Sequence, residues 1–382
     1  EVRTSAGHDL NYVVFKRSKE YPTAHLRKPG EKEKTLVLMH GFGLGLGFFY
    51  DNFDALTSYY DKVIAVDWLG MGSSSRTSTR VTRLSLIESM TKCATKEEHE
   101  KEVAKQVTDE FIDSLEDLRK QEKIENFVLA GHSLGGYLVG KYALKYPKEV
   151  KGLILISPVG IPEQPAKEDR VDPAAIDWRI NFMAKLWNFN ITPQSLIRVM
   201  GSRGPELVEN FIGRRFSQRW SGDELKYISD YFYHITAAPG NGEYALNALL
   251  EPIFVKNQSK SNRSPRQLSK KDGEEEDDNE DKLNERRKGG YRTGVFARNP
   301  LENELSTVKF PILLVYGDND WLYYPGASNS IDMWKKAGIN AKLAIISNAG
   351  HHLYLENSED FNQLLIEWTR SIRYKESLAE NK

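Results

Sequence analysis

The sequence predicts an α/β protein with a mainly parallel central sheet, helices on both faces and a helical cap inserted into the core. Three observations lead there. Short continuous apolar runs recur along the chain, as strands buried on both faces require. Helix-patterned stretches separate several of them, and strand–helix alternation is the pattern of parallel strands joined by crossovers. The alternation then breaks once, between about residues 161 and 310, where helical patterning dominates.

The first expected strand is Leu10 to Phe15 (LNYVVF), β-branched and aromatic after a turn-like Gly7-His8-Asp9. Thr35–Met39 (TLVLM), Lys62–Val66 (KVIAV), Asn126–Ala130 (NFVLA) and Gly152–Ile156 (GLILI) follow, then Pro311–Tyr316 (PILLVY) and Ala341–Ile346 (AKLAII). Val107 to Gln121 reads as a helix, with Phe111, Ile112, Leu115 and Leu118 on one face. Residues 1–160 and 311–382 thus form two parts of one core, and 161–310 a cap without a buried strand.

Within the cap, Asp177, Asn181, Lys185 and Asn188 form a narrow polar strip at helical spacing. The remaining surface carries Trp178, Phe182, Met183, Leu186, Trp187 and Phe189. Such a helix suits a membrane interface, with Arg179 and Lys185 at the headgroups. It equally suits a lid packed on its own protein. Trp178, Phe182 and Trp187 are the expected substrate or membrane contacts. Lys256 to Arg292 runs from basic to acidic to basic with few apolar residues, and is expected to be a disordered insert.

Composition narrows the function. A chain of 382 residues, 40% hydrophobic and 28% charged, can bury a full core. Fifty-three basic against 54 acidic residues leave no global field to attract nucleic acid. One cysteine, Cys93, excludes an internal disulfide and argues against a cysteine metal cage; a reducing compartment is compatible. No run of about 20 apolar residues suggests a membrane-spanning helix. The chain starts at Glu1, so its beginning carries no information on targeting.

Gly131-His132-Ser133-Leu134-Gly135 directly follows the NFVLA strand and precedes a helix-compatible run. That context fits a nucleophile elbow: a strained strand-to-helix turn, flanked by glycines, that lifts the serine to a helix amino terminus. Ser133 is therefore the expected nucleophile. An oxyanion hole would take the N–H of Leu134 and one from the loop His40-Gly41-Phe42-Gly43-Leu44-Gly45-Leu46-Gly47, where Phe42 is the candidate. The glycines in that loop match neither dinucleotide nor phosphate-loop spacing.

A general base must come from the eight histidines. His132 is locked inside the elbow, and His40 suits a structural hydrogen bond at the glycine loop. His8, His25 and His99 lie in polar segments expected at the periphery, while His234 in the cap could touch substrate. Chain order Ser, acid, His points to Gly350-His351-His352, with His351 favoured over His352. The orienting acid should end a strand before it. Gly317-Asp318-Asn319-Asp320 follows PILLVY, and Asp320 is preferred because Asp318 suits a residue capping its own loop. This chemistry calls for no metal or organic cofactor.

HGFGLGLGFFYDNFDAL, DWLGMGSSSR, GHSLGGYLVGKYALKYP, LILISPVGIPEQP and AGHHLYLEN together resemble an α/β-hydrolase subfamily. It includes the fungal mitochondrial cardiolipin-specific deacylases, the N-acyl-phosphatidylethanolamine lipases and the triglyceride lipase coactivator. The resemblance implies Ser133, Asp320 and His351 as a catalytic triad. It implies a phospholipid acyl hydrolase, with cardiolipin the leading substrate, on the matrix side of the inner mitochondrial membrane. Lysophospholipid acylation from acyl-CoA, or recruitment of a lipase, are the alternatives. The subfamily's His-x4-Asp acyltransferase pattern has Glu356 in place of Asp, which weakens the transferase reading. Ser133 stands where the non-catalytic coactivator has asparagine, which argues against a pure binding role.

Overall fold

The computed structural model describes residues 1–17, 33–77, 95–172, 178–216, 219–256, 291–323 and 326–380. Cys93, His25 and Asp177 lie outside them, as do 257–290 of the charged stretch.

The strands are β1 (Val2–Arg3), β2 (Asp9–Leu10), β3 (Tyr12–Lys16), β4 (Thr35–Met39), β5 (Lys62–Val66), β6 (Phe127–His132), β7 (Val150–Ile156), β8 (Leu250–Lys256), β9 (Tyr291–Ala297), β10 (Ile312–Gly317) and β11 (Ala341–Ile346). Seven of them form the central sheet in the order β11-β10-β7-β6-β4-β5-β3. Within this sheet, β3 alone among the described strands runs antiparallel to its neighbour.

The continuous apolar runs follow from this burial. Alternate residues serve opposite faces: Val37, Met39, Leu129 and Leu153 join one core cluster. Leu36, Leu38, Val128 and Ile154 join the other. The helices are α1 (Phe53–Thr57), α2 (Lys96–Gln121), α3 (Leu134–Lys145), α4 (Trp178–Asn188), α5 (Pro193–Val199), α6 (Gly204–Arg215), α7 (Gly222–Ala237), α8 (Ala245–Leu249), α9 (Ala327–Lys336), α10 (Leu353–Glu356) and α11 (Ser358–Glu380). Phe111 of α2, Leu138 of α3 and Ile331 of α9 cover one face; Leu56 of α1 with Leu365 and Trp368 of α11 cover the other. Each such side chain is worth roughly 1.5–3 kcal/mol on burial.

Three expectations are corrected. Helix α2 begins at Lys96 rather than Val107, because Thr95 and Glu98 form a reciprocal capping box that starts it early. His99, expected at the periphery, is consequently buried on that helix. The cap also holds a strand pair where none was expected. Strands β8 and β9 pair antiparallel from Leu250↔Ala297 to Lys256↔Tyr291, and Ile253 and Phe254 are buried. Pro252 and Gly294 disguise these strands in the sequence. The two ends of the charged stretch, Lys256 and Tyr291–Arg292, thus lie in paired strands.

The topology also fixes where a site can form. From β4 the chain moves to β5 on one side, then crosses to β6 on the other. The carboxyl ends of β4 and β6 therefore flank a switch point, where open α/β sheets leave a crevice. Met39 pairs with Gly131 there, so the loops after both strands emerge side by side.

Candidate active site

Ser133 sits where β6 becomes α3, with φ 54° and ψ −117°. A non-glycine residue in this region is strained. The turn is held by Ser133 N–H donating to the Ile156 carbonyl (2.9 Å) and by the Ser133 carbonyl accepting from Val159 and Tyr137. A Cβ at Gly135 would lie 2.3 Å from the His40 carbonyl oxygen, so only glycine permits α3 to pack against β4's end. One at Gly41 would lie 3.0 Å from the Ser133 Cβ. The missing side chain there lets the glycine loop lie against the serine.

His351 follows β11. Its Nε2 is 3.1 Å from Ser133 Oγ and its Nδ1 is 3.1 Å from Asp320 Oδ1. With Nδ1–H donating to the carboxylate, Nε2 is left to accept the serine proton. Asp320 Oδ1 also accepts from the Leu322 N–H at 2.9 Å. Ser133, Asp320 and His351 are all buried. Three residues far apart in sequence therefore form one hydrogen-bonded series, with the tautomer and spacing that nucleophilic catalysis needs.

Asp318 has a different task. It accepts from the N–H groups of Asn348 and Ala349, each at 3.0 Å. Rather than capping its own turn, it pins the loop that delivers His351. The His352 ring packs against Phe216 and His132. Burial first, then the charges of His351 and Arg215, holds it well below the usual histidine range. His132 is likewise kept neutral, chiefly by burial, and its Nε2 lies 2.9 Å from the His351 carbonyl. His40 Nδ1 donates to the Gly41 carbonyl (2.8 Å) while its Nε2 accepts the Trp68 N–H (3.1 Å), both within the chain's own loops. His234 is exposed on α7 and absent from the wall of the cavity described next.

A cavity of about 680 Å³ opens over Ser133. Phe42 and Leu134 line it beside the serine. As the first residue of α3, Leu134 has an N–H with no acceptor inside the helix, suited to hold a developing oxyanion. Leu44, Val159, Trp187, Leu246, Leu250 and Val295 make the wall mainly apolar. Trp187 thus faces the cavity, whereas Trp178 and Phe182 are 72% and 53% exposed and lie outside it.

Asp67, Tyr231, Arg215 and Trp321 leave no local signal in the sequence. Asp67 is buried and accepts from the N–H groups of Leu46 (2.7 Å) and Ser73 (2.9 Å), tying the glycine loop to DWLGMGSSSR. Tyr231 of α7 accepts from the Gly47 N–H at 3.0 Å and so joins cap to glycine loop. Arg215, Trp321 and Glu356 reach the cavity wall. Only an acid directly after a glycine-rich loop's partner strand could have flagged Asp67; nothing local distinguishes Arg215.

Comparison with known proteins accords with this geometry. A family model for the alpha/beta hydrolase fold matches residues 34–358. A 1-acylglycerol-3-phosphate O-acyltransferase of Arabidopsis thaliana is 32% identical over 342 residues, 88% of this chain and 66% of that protein. The chain thus spans just under two thirds of this plant relative. A (lyso)-N-acylphosphatidylethanolamine lipase of Mus musculus is 28% identical over 352 residues, 90% of this chain and 82% of its own. The crystal structure of Cfl2 from Burkholderia cenocepacia superposes with a TM-score of 0.56 at 16% identity, covering 96% of this chain and 93% of that one. That likeness speaks to the fold.

Proposed function

The chain belongs to the α/β-hydrolase fold family and is related to lipid-modifying enzymes, and from that premise we propose that it hydrolyses an acyl ester of a phospholipid. The observation that carries this reading is the Asp320–His351–Ser133 series opening into an apolar cavity. His351 Nε2 takes the proton of Ser133 Oγ as that oxygen attacks the ester carbonyl. The N–H groups of Phe42 and Leu134 hold the oxyanion, an interaction worth about 3 kcal/mol per donor in comparable sites. His351 then protonates the departing lysolipid oxygen. Water, deprotonated by His351, attacks the acyl-serine, releases the fatty acid and restores Ser133. Asp320 keeps the imidazole in the working tautomer throughout.

Cardiolipin is the proposed substrate, and the inner mitochondrial membrane the proposed location, both on the resemblance of the motifs. Contact with the bilayer falls to the cap. Trp178, Phe182, Phe189, Val199 and Phe211 expose apolar surface from α4 to α6, an array that suits insertion at a lipid interface. Mass spectrometry of products from a mixed mitochondrial lipid extract tests the reading. Wild type should release fatty acid and monolysocardiolipin, and Ser133→Ala should release neither; equal loss of all phospholipids would remove the cardiolipin preference alone.

Acyl transfer to a lysophospholipid is the second reading, favoured by the acyltransferase activity for which the plant relative is named. Glu356 weakens it, because its carboxylate is committed to the Gly350 N–H and to Arg215. Labelled acyl-CoA supplied with lysolipid separates the two: transfer requires label in a diacyl product, hydrolysis only in free fatty acid. The third reading, a lipase-recruiting binding protein, predicts that Ser133→Ala keeps its biological effect.

A further inference from the structure

The cavity wall combines a mainly apolar lining with one charged pair. Arg215, at the end of cap helix α6, donates from Nη2 to Glu356 Oε1 at 3.1 Å. The other carboxylate oxygen of Glu356 accepts the Gly350 N–H, adjacent to His351. Glu356 thus links Arg215 to the residue that precedes the proposed base, and both Arg215 and Glu356 line the cavity.

Among the described residues lining the cavity, Arg215 is the one lysine or arginine. Its guanidinium stays protonated at any working pH and so gives this wall a permanent positive charge. A guanidinium has five N–H donors in a planar fork. In this structure one nitrogen is engaged by Glu356, and the ring of Phe216 lies 5.1 Å from the guanidinium carbon. The side chain is 39% exposed, so donors remain for a second anion. Glu356 orients the guanidinium without consuming it, and a planar fork matches two oxygens of a phosphate.

In a glycerophospholipid the phosphate lies only a few bonds from the acyl ester oxygen. A cation in the wall of the cavity that holds Ser133 and His351 is thus placed to meet it while the acyl chain occupies the apolar wall. We propose that Arg215 binds the substrate's phosphodiester, making this site selective for acyl esters that carry a nearby phosphate over neutral acylglycerols. This rests on the phospholipid reading above and assigns its specificity to one residue.

Binding without turnover tests it. Full-length Ser133→Ala protein is titrated with a diether phosphatidylglycerol and with the matching neutral diether glycerol, each in neutral detergent micelles. The phosphate-bearing analogue should bind at least tenfold more tightly, a difference of about 1.4 kcal/mol. Adding Arg215→Gln should erase that preference, while Arg215→Lys, which keeps the charge but not the fork, should retain a part of it. Equal affinity for the two analogues in Ser133→Ala would overturn the proposal even if Arg215→Gln failed to fold. So would a preference that survives Arg215→Gln. Absence of ester hydrolysis by wild type would instead count against the proposed reaction, and leaves this reading to be judged on the titrations.

Discussion

The Nε2 of His132 lies 2.9 Å from the carbonyl oxygen of His351, so the residue before the nucleophile is bonded to the backbone of the proposed base. The elbow after β6 and the loop after β11 are therefore joined by this bond, although the two histidines lie 219 positions apart in sequence. A carbonyl acceptor requires that His132 carry its proton on Nε2.

Replacing His132 with Phe keeps ring volume and removes the donor, stranding a buried carbonyl. A stability loss of about 1–3 kcal/mol is expected. Turnover should fall further than substrate affinity, because the His351–Ser133 distance is what loosens. Denaturant melts together with kcat and KM on a short-chain ester read both; a change in KM alone would show that the bond does not position His351.

The two aspartates after β10 should separate cleanly. Asp320 meets His351, whereas Asp318 meets the backbone of Asn348 and Ala349. Asp320→Asn should retain the fold and lower kcat by up to about 10⁴-fold, as removal of a tautomer-fixing carboxylate does. Asp318→Asn should show the reverse emphasis, a lower melting temperature and a modest kcat change. Similar kinetic losses in both variants would argue that Asp320 has no special place.

Stability should also depend on pH through buried histidines. His132 and His352 have folded pKa values well below the ordinary histidine value, mainly from burial. The unfolded chain, with histidines near about 6.5, therefore binds more protons as pH falls. Stability is complete above about pH 6.5 and declines below it, by up to about 1.4 kcal/mol per pH unit for each histidine. Melting temperature measured from pH 7.5 to 5 should show this fall. In His352→Gln the slope should be shallower; an unchanged slope would mean that His352 does not supply it.

How much of this was legible follows from what each signal depends on. Strand positions such as Thr35–Met39 were readable because burial on both faces forces unbroken apolar runs, a local property. Ser133 carried its own context, a strand before it and glycines around it. Asp320 and His351 were reachable through chain order, since each lies just past a readable strand. The pair Arg215–Glu356 was not, because an ion pair between a cap helix and a core loop leaves no periodic trace in either segment. Strands β8 and β9 escaped for a related reason: their pairing bridges the charged stretch, and Pro252 and Gly294 break the local pattern. Trp178, Phe182 and Trp187 looked alike in sequence, yet only Trp187 turns inward.

That division of the tryptophans makes a last prediction. Trp178 and Phe182 project from α4 into solvent, and Met183 beside them is 62% exposed. If this face meets the bilayer, each aromatic contributes roughly 1.5–3 kcal/mol of apolar transfer, or about tenfold or more in partitioning. Trp178→Ser combined with Phe182→Ser should therefore weaken binding to cardiolipin-containing vesicles by at least about 100-fold in a sedimentation assay. Trp187→Ala should act differently, because its side chain lines the cavity and packs against the core. It should change the preferred acyl length and raise KM for a dissolved ester, with a smaller effect on vesicle partitioning. Loss of vesicle binding in Trp187→Ala but not in the double variant would place the membrane contact elsewhere on the molecule.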